Sequence, residues 1–167
     1  MGSNFLHDLA NENLKPHIAF FSAFTDIEVI KGPNTLRDIF LPEFNLFLEA
    51  KTESYLTGNV AIEIACNSPY YRLEPEWLLA LPNQNRGYGL DYGHKPDHLI
   101  SIAQPSGHFY YTNLSVLQNT IKPIIEQGIW ASGQLRVKPS FNKGRRWYSV
   151  NLIYPLSGIK WQWEGII

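Results

Sequence analysis

Two short apolar runs, residues 36–41 and 46–51, constrain the fold most strongly, because only four residues separate them. Those four read Pro-Glu-Phe-Asn and favour a tight connection, so the two runs are predicted to form a β-hairpin. Side chains alternate between the two faces of a strand, which places Glu49 and Lys51 on the same face. The 167-residue chain that carries this hairpin has the size of one ordinary domain.

The composition narrows the class of protein. Hydrophobic residues make up 44% of the chain and charged residues 17%, which excludes a chain that is disordered throughout. No apolar stretch approaches the roughly 18 to 20 residues that span a bilayer, and no basic patch followed by an apolar run opens the sequence. Cys66 is the single cysteine, so an internal disulfide and a cysteine-based zinc cluster are both excluded. We therefore expect a cytoplasmic protein with no membrane partner.

The remaining periodicities alternate between helix and strand and predict an α/β fold. A helix interrupted at Pro16 is expected within residues 4–24, and a second helix over residues 115–127, ended by Gly128. Residues 59–66 form an apolar run typical of a central strand. The other predicted strands are residues 27–30, 99–102, 109–111, 133–138, 147–154 and 159–164, and a short helix is predicted near residues 76–81, within a long loop region over residues 67–98. We expect one domain over residues 1–167, with a core over about 1–130 and an extension over about 131–167.

The hairpin also carries the chemistry. Asp38 lies on the strand that pairs with the strand of Glu49, so the two carboxylates can converge. Two carboxylates with a nearby carbonyl suit Mg²⁺, which prefers one or two carboxylates together with water and phosphate oxygens. Lys51 would lie one step along, where its ammonium could hold or activate a water that attacks a phosphodiester.

Asp38, ten intervening residues and then Glu49-x-Lys51, set in apolar strands around a Leu-Pro-Glu-Phe-Asn turn, resemble the PD-(D/E)XK nuclease superfamily. The resemblance covers residues 36–66 and implies a restriction-endonuclease-like core, in which helices flank a central mixed β-sheet, with Mg²⁺-dependent hydrolysis of DNA. It also implies that Asp38 and Glu49 are metal ligands and that Lys51 is catalytic. Arg37 departs from the pattern, which often has proline there. Glu12 or Asp8 is the candidate for a helix acid that assists the metal in some members.

Two of these interpretations have a plain structural alternative. A Glu-x-Lys pair also occurs on the solvent face of many amphipathic strands, and a neighbouring aspartate can simply pair with a lysine. Glu63 is the single charge in the run over residues 60–66, and charges in such runs are seldom left unpaired. Glu63 is therefore either a further catalytic residue, as a ligand or a partner of Lys51, or a member of a structural ion pair or an exposed strand position.

The charges are unevenly distributed along the chain. Residues 1–83 hold eleven acidic and five basic side chains, whereas residues 84–167 hold nine basic and four acidic ones, although the net charge is only −1. The predicted strands on either side of residues 139–144 form an antiparallel β-ribbon, a shape that fits the major groove of B-DNA. Its polar residues would contact phosphates or base edges, and the candidates are Gln134, Arg136, Lys138, Lys143, Arg145, Arg146, Ser149 and Asn151. The alternative is the ordinary polar face of a half-buried strand pair.

The hypothesis that joins both parts is a Mg²⁺-dependent endonuclease acting on double-stranded DNA, site-specific in the manner of homing or restriction enzymes. A nuclease of the Holliday-junction resolvase type is one alternative, and a non-catalytic DNA-binding protein that keeps the nuclease fold is another. Because one such site cuts one strand, we expect a homodimer or a higher symmetric homo-oligomer.

Overall fold

A computed structural model describes residues 30–31, 39–41, 45–53, 57–92, 98–103 and 106–166. The chain divides into two compact units. The first unit comprises residues 1–57, 96–113 and 161–167, and the second comprises residues 58–95 and 114–160. Strands dominate both units, a mixed sheet is present, and the predicted α/β class is confirmed in this general sense.

The first unit contains six described strands, which are Ile30–Lys31 (β1), Ile39–Leu41 (β2), Leu46–Glu53 (β3), His98–Ala103 (β5), His108–Asn113 (β6) and Trp163–Ile166 (β9). They form one mixed sheet with the order β1-β2-β3-β5-β6-β9. β3 and β5 are parallel, and the other neighbours in this sheet are antiparallel. Asn45 directly precedes β3, and its φ of 49° is a left-handed conformation that asparagine tolerates well.

The second unit contains a three-stranded antiparallel sheet, in which β8 (Arg145–Pro155) lies between β4 (Asn59–Ser68) and β7 (Leu135–Asn142). One face of this sheet is apolar, and Ile62 and Leu152 are fully buried neighbours on it. The β4–β8 register shifts twice, between Glu63 and Ala65 and between Ala65 and Ser68, as β-bulges do.

Two described helices belong to the second unit, α1 (Pro75–Leu79) and α2 (Leu114–Gln127). Residues of α2 spaced by three or four positions, such as Leu117 and Ile121, are fully buried and form its apolar face. Gln118 is buried beside them, and its side-chain amide donates to the backbone carbonyls of Tyr88 and Asp91. A buried amide with two such partners fixes the helix to the loop over residues 86–91.

That loop also covers the free side of β4. The backbone N–H groups of Gly87 and Gly89 donate to the carbonyls of Ile64 and Glu63, at 3.2 and 2.9 Å. A Cβ atom on Gly87 would lie 2.7 Å from Cγ of Glu63, closer than any side chain tolerates, so glycine permits this approach. The loop therefore occupies backbone groups of β4 that would otherwise form an open sheet edge.

Several predicted elements are found close to their expected bounds. The helix over residues 115–127 is observed as α2, and Gly128 follows it with a φ of 65°, as expected for a glycine that ends a helix. The helix near residues 76–81 is observed as α1. No helix among the described residues is long and apolar enough to cross a membrane. The helical prediction for residues 4–24 lies outside the described residues.

Two strand predictions were wrong in detail. Residues 59–66 do form a strand, but among the described residues β4 has one strand partner, β8, and lies at the side of its sheet. The predicted strand over residues 159–164 begins later, at Trp163, and residues 159–162, which follow a 3-10 turn over Leu156–Gly158, are irregular. β9 then pairs with β6 and belongs to the mixed sheet, whereas β7 and β8 belong to the three-stranded sheet.

Candidate functional site

Glu49 and Lys51 form the core of the candidate site. Both lie on β3, two residues apart, and Nζ of Lys51 is 2.7 Å from Oε1 of Glu49. The side chain of Glu49 is 12% exposed and that of Lys51 is 21% exposed, so both are largely buried but remain accessible to water. Leu48 and Ala50 alternate with the pair and are fully buried on the opposite face. The alternation predicted for this strand is therefore observed.

Polar residues of the neighbouring strands lie on the same face as this pair. The register pairs Lys51 with Ser101 on β5 and Ser101 with Tyr110 on β6, and partners in adjacent strands share a face. Two residues earlier on β3, Glu49 pairs with Leu99 on β5, and Leu99 pairs with Thr112 on β6, so these three residues also share the face. Ser101 and Thr112 are buried. The face thus combines a carboxylate, an ammonium and three hydroxyl-bearing side chains within a few strand spacings of about 4.8 Å.

Sequence reasoning missed Ser101, Tyr110 and Thr112. The available signal was a lone hydroxyl inside the apolar run over residues 99–102, but a run of that kind does not reveal which strand lies next to it. Only the parallel pairing of β3 with β5 brings Ser101 beside Lys51.

Asp38, the second predicted metal ligand, lies outside the described residues, as do Asp8 and Glu12. The described pair nearest to Asp38 in the β2–β3 ladder is Ile39 with Leu48. Among the described residues, no group of three or more His, Cys, Asp or Glu side chains forms a metal cluster. Glu49 by itself supplies one hard carboxylate, which matches the low protein-ligand count that Mg²⁺ accepts when water and phosphate complete its shell.

Glu63 belongs to the other sheet. Its partner in the register is Asn151 of β8, and Asn151 is paired in turn with Arg136 of β7. These three residues therefore share one face of the three-stranded sheet. The strand pairings do not place Glu63 beside Glu49 or Lys51 in one sheet, and its assignment as a catalytic residue stays a prediction.

The predicted β-ribbon is observed as β7 and β8, joined by a tighter turn than expected. Lys143 and Gly144 have φ values of 50° and 74°, and Asn142 pairs with Arg145 on either side of them. Two successive positive φ values are typical of a type I′ turn, whose twist matches that of the flanking strands. The strands consequently continue through residues that were expected to form a long connection.

The register confirms the predicted division of the ribbon into two faces. Arg136 pairs with Asn151 and Lys138 with Ser149, so these four share the polar face. Arg136 and Lys138 are exposed, whereas Ser149 and Asn151 are half-buried. Arg145 extends this face toward the turn, where it is exposed as well.

Arg146 and Gln134 are placed differently from their predicted neighbours. Arg146 lies on the opposite face, paired with Phe141, and its guanidinium carbon is 4.8 Å from the centre of the phenylalanine ring. The side chain of Gln134 accepts from the N–H of Ala131 at 2.6 Å and donates to the carbonyl of Ile153 at 3.5 Å. Gln134 therefore closes the turn that leads into β7.

The segment that contains the β7–β8 ribbon carries charges of one sign. Residues 127–163 contain no aspartate or glutamate, and their basic side chains are Arg136, Lys138, Lys143, Arg145, Arg146 and Lys160.

Comparisons with protein-family models, curated proteins and solved structures find no match for this chain.

Proposed function

We propose that this chain is a Mg²⁺-dependent endonuclease that hydrolyses DNA. The observation that carries the proposal is the Glu49–Lys51 pair, which lies 2.7 Å apart on one face of the inner strand of a hairpin within a mixed sheet. A purely structural ion pair has no need of a polar row beside it, yet Ser101 and Tyr110 continue the row of Lys51. This arrangement supports the PD-(D/E)XK assignment and its restriction-endonuclease-like core.

The proposal requires Asp38 to continue the β2–β3 ladder. Partners in an antiparallel ladder change by one residue in opposite directions, so the pair that would follow Ile39 with Leu48 is Asp38 with Glu49. Directly opposed side chains share a face and have Cβ atoms about 4.5 to 5.5 Å apart. In that register the two carboxylates could hold one divalent ion.

In the proposed reaction, water adds to phosphorus and one phosphoester bond breaks, which yields one hydroxyl and one phosphomonoester. Bound Mg²⁺ supplies positive charge where the phosphate oxygens become more negative. Asp38 and Glu49 would hold the ion, and the ammonium of Lys51 would donate hydrogen bonds to the attacking water or to a phosphate oxygen. The Glu49 carboxylate keeps that ammonium at the site between turnovers.

The β7–β8 ribbon is proposed as the surface that binds double-stranded DNA. Lys143, Arg145 and Arg146 surround its turn and are exposed, which suits contacts with phosphates. Arg136 and Lys138, with Ser149 and Asn151, form a face with donors and acceptors that could reach base edges. A ribbon of this kind favours a site-specific enzyme of the homing or restriction type.

A cleavage assay tests the catalytic part. The full chain is incubated with plasmid DNA and Mg²⁺, and Lys51→Ala, Glu49→Gln and Asp38→Asn are each expected to lower the rate by about 100-fold or more. Binding, measured with EDTA in place of Mg²⁺, should change little. Glu76→Gln and Lys122→Gln are the matched controls, because both side chains are exposed on helices of the other unit. Cleavage that persists in Lys51→Ala and Glu49→Gln refutes the assignment.

The alternatives give different outcomes in the same assay. An enzyme of the Holliday-junction resolvase type would cut a four-way junction in preference to linear duplex. A non-catalytic DNA-binding protein would bind DNA in a salt-dependent manner and cut neither substrate. Since one site cuts one strand, the proposed enzyme should be a symmetric homodimer or higher oligomer, which sedimentation with and without DNA would reveal.

A further inference from the structure

The tip of the β7–β8 ribbon carries a large aromatic side chain in an otherwise polar and basic setting. Phe141 is 69% exposed, and it lies two residues before the turn at Lys143 and Gly144. Its neighbours are open to solvent as well; the exposed residues at the tip are Pro139, Ser140, Phe141, Lys143, Gly144, Arg145 and Arg146. The ribbon therefore projects from the packed part of its sheet with both faces uncovered by described residues.

The ring of Phe141 is held in a defined orientation. Arg146 is its cross-strand partner, and the guanidinium lies over one face of the ring at 4.8 Å. Such a cation–π contact restrains both side chains. The high exposure of the ring shows that most of its remaining surface is open. A single exposed apolar residue is common on protein surfaces, but an oriented ring near the tip of a β-ribbon is a platform for another flat group.

The charge around this ring selects the kind of partner. No acidic residue lies between positions 127 and 163, and five cations occur within the ribbon itself. An apolar protein partner would gain nothing from these charges, whereas a nucleic acid offers phosphates to the cations and π-faces to the ring. β7 continues for three residues beyond Pro139, or about 10 Å. That length exceeds the major-groove depth of about 8.5 Å, so the tip of the ribbon can enter the groove as far as the bases.

We propose that Phe141 stacks on a DNA base that has left the helical stack, and that the chain consequently prefers DNA with unpaired bases to continuous duplex. This inference rests on the DNA-binding half of the proposed function and names the substrate class. Unstacking an intact base step costs free energy, and a mismatch or bubble reduces that cost. The cations at the tip hold the backbone while the ring occupies one face of the exposed base.

Binding measurements on two DNAs test the proposal. One is a fully paired duplex, and the other is the same duplex with a short bubble that contains a fluorescent adenine analogue. With EDTA present, the full chain should bind the bubble more tightly and quench the analogue. Phe141→Ala should weaken bubble binding by about 5- to 150-fold, remove the quenching and leave duplex binding unchanged.

Three further variants separate stacking from general apolar contact. Phe141→Trp restores a flat ring and should recover bubble binding, whereas Phe141→Leu keeps an apolar side chain and should not. Ile129→Ala is the control, since Ile129 is also a large exposed apolar residue of the same unit but lies outside the ribbon. Unfolding curves should be the same for all variants, because these side chains are exposed.

The outcomes also distinguish this proposal from the proposed nuclease activity. Equal affinity of the unmodified chain for both DNAs, or an equal loss on both in Phe141→Ala, overturns the stacking proposal. A change in self-association without a change in DNA binding overturns it too and assigns the ring to a protein contact. If Lys51→Ala still cuts DNA while Phe141→Ala loses the bubble preference, the active-site assignment fails and the stacking proposal stands.

Discussion

The salt dependence of DNA binding measures how many ribbon cations contact phosphates. Five basic side chains lie on the ribbon, namely Arg136, Lys138, Lys143, Arg145 and Arg146. If all five contact phosphates, log K should fall with log salt at a slope of about −4.5, since each contact contributes about −0.9. Between 50 mM and 200 mM salt, a fourfold change, affinity should then fall by about 500-fold.

Replacement of the three cations nearest the turn by glutamine gives a quantitative test. The variant Lys143→Gln/Arg145→Gln/Arg146→Gln should have a slope of about −1.8, and the same salt change should cost only about 12-fold in affinity. The assay is fluorescence anisotropy with a labelled duplex at several salt concentrations, in the presence of EDTA.

Single substitutions supply the matched comparison. Arg145→Gln should reduce the slope by about 0.9, whereas Lys122→Gln should leave it unchanged. The Lys122 ammonium is equally a surface charge, but it lies on α2, 3.8 Å from the Glu126 carboxylate. A triple variant that keeps the original slope, or a Lys122 effect as large as that of Arg145, would show that DNA binds another surface.

Three further predictions concern stability. Ile62→Ala should lower the free energy of unfolding by about 2 to 5 kcal/mol, because Ile62 is fully buried. Ile129→Ala, at an exposed position, should change the free energy of unfolding by less than about 0.5 kcal/mol, and urea titration compares the two variants. Gly144→Ala should cost about 1 to 2 kcal/mol in the same titration, since φ is 74° at this position, and an unchanged midpoint would contradict the assigned turn. Burial and the nearby Glu126 carboxylate raise the pKa of Tyr92 above 10, although Arg86 opposes them. The contribution of the neutral phenol to the free energy of unfolding is therefore complete below pH 10 and is lost as the pH rises through the pKa of the folded state. Tyr92→Phe should flatten the decline in the free energy of unfolding at alkaline pH, and an identical decline in both proteins would refute this.

Local patterns predicted the parts of the fold that depend on near neighbours. The β2–β3 hairpin follows from two apolar runs and a four-residue connection, and α2 follows from its apolar spacing and the glycine behind it. The two faces of the ribbon follow from strict alternation. Each of these features is determined by contacts within a short, continuous stretch of chain, and periodicity carries information over that range.

Pairings between distant segments could not be predicted in this way. β4 resembles a central strand because its sequence is an almost unbroken apolar run, yet one of its edges pairs with β8 and the other accepts hydrogen bonds from the loop that contains Gly87 and Gly89. The same limit applies to the prediction of the candidate functional site. Glu49 and Lys51 are adjacent by alternation, but the neighbouring Ser101 depends on a parallel pairing with a strand about fifty residues later.

The outer side of β7 has a consequence for self-association. The two-residue turn makes Asn142 with Arg145 a hydrogen-bonded pair, and alternation then makes Pro139 a position whose nitrogen points away from β8. Proline has no N–H to donate, so the row of donors that a second copy would need for strand addition is interrupted. Mutual repulsion among the neighbouring lysines and arginines acts in the same direction. Two copies of this chain should therefore resist amyloid-like stacking along the outer edges of their β7 strands, and a symmetric assembly is not expected to form by strand addition there.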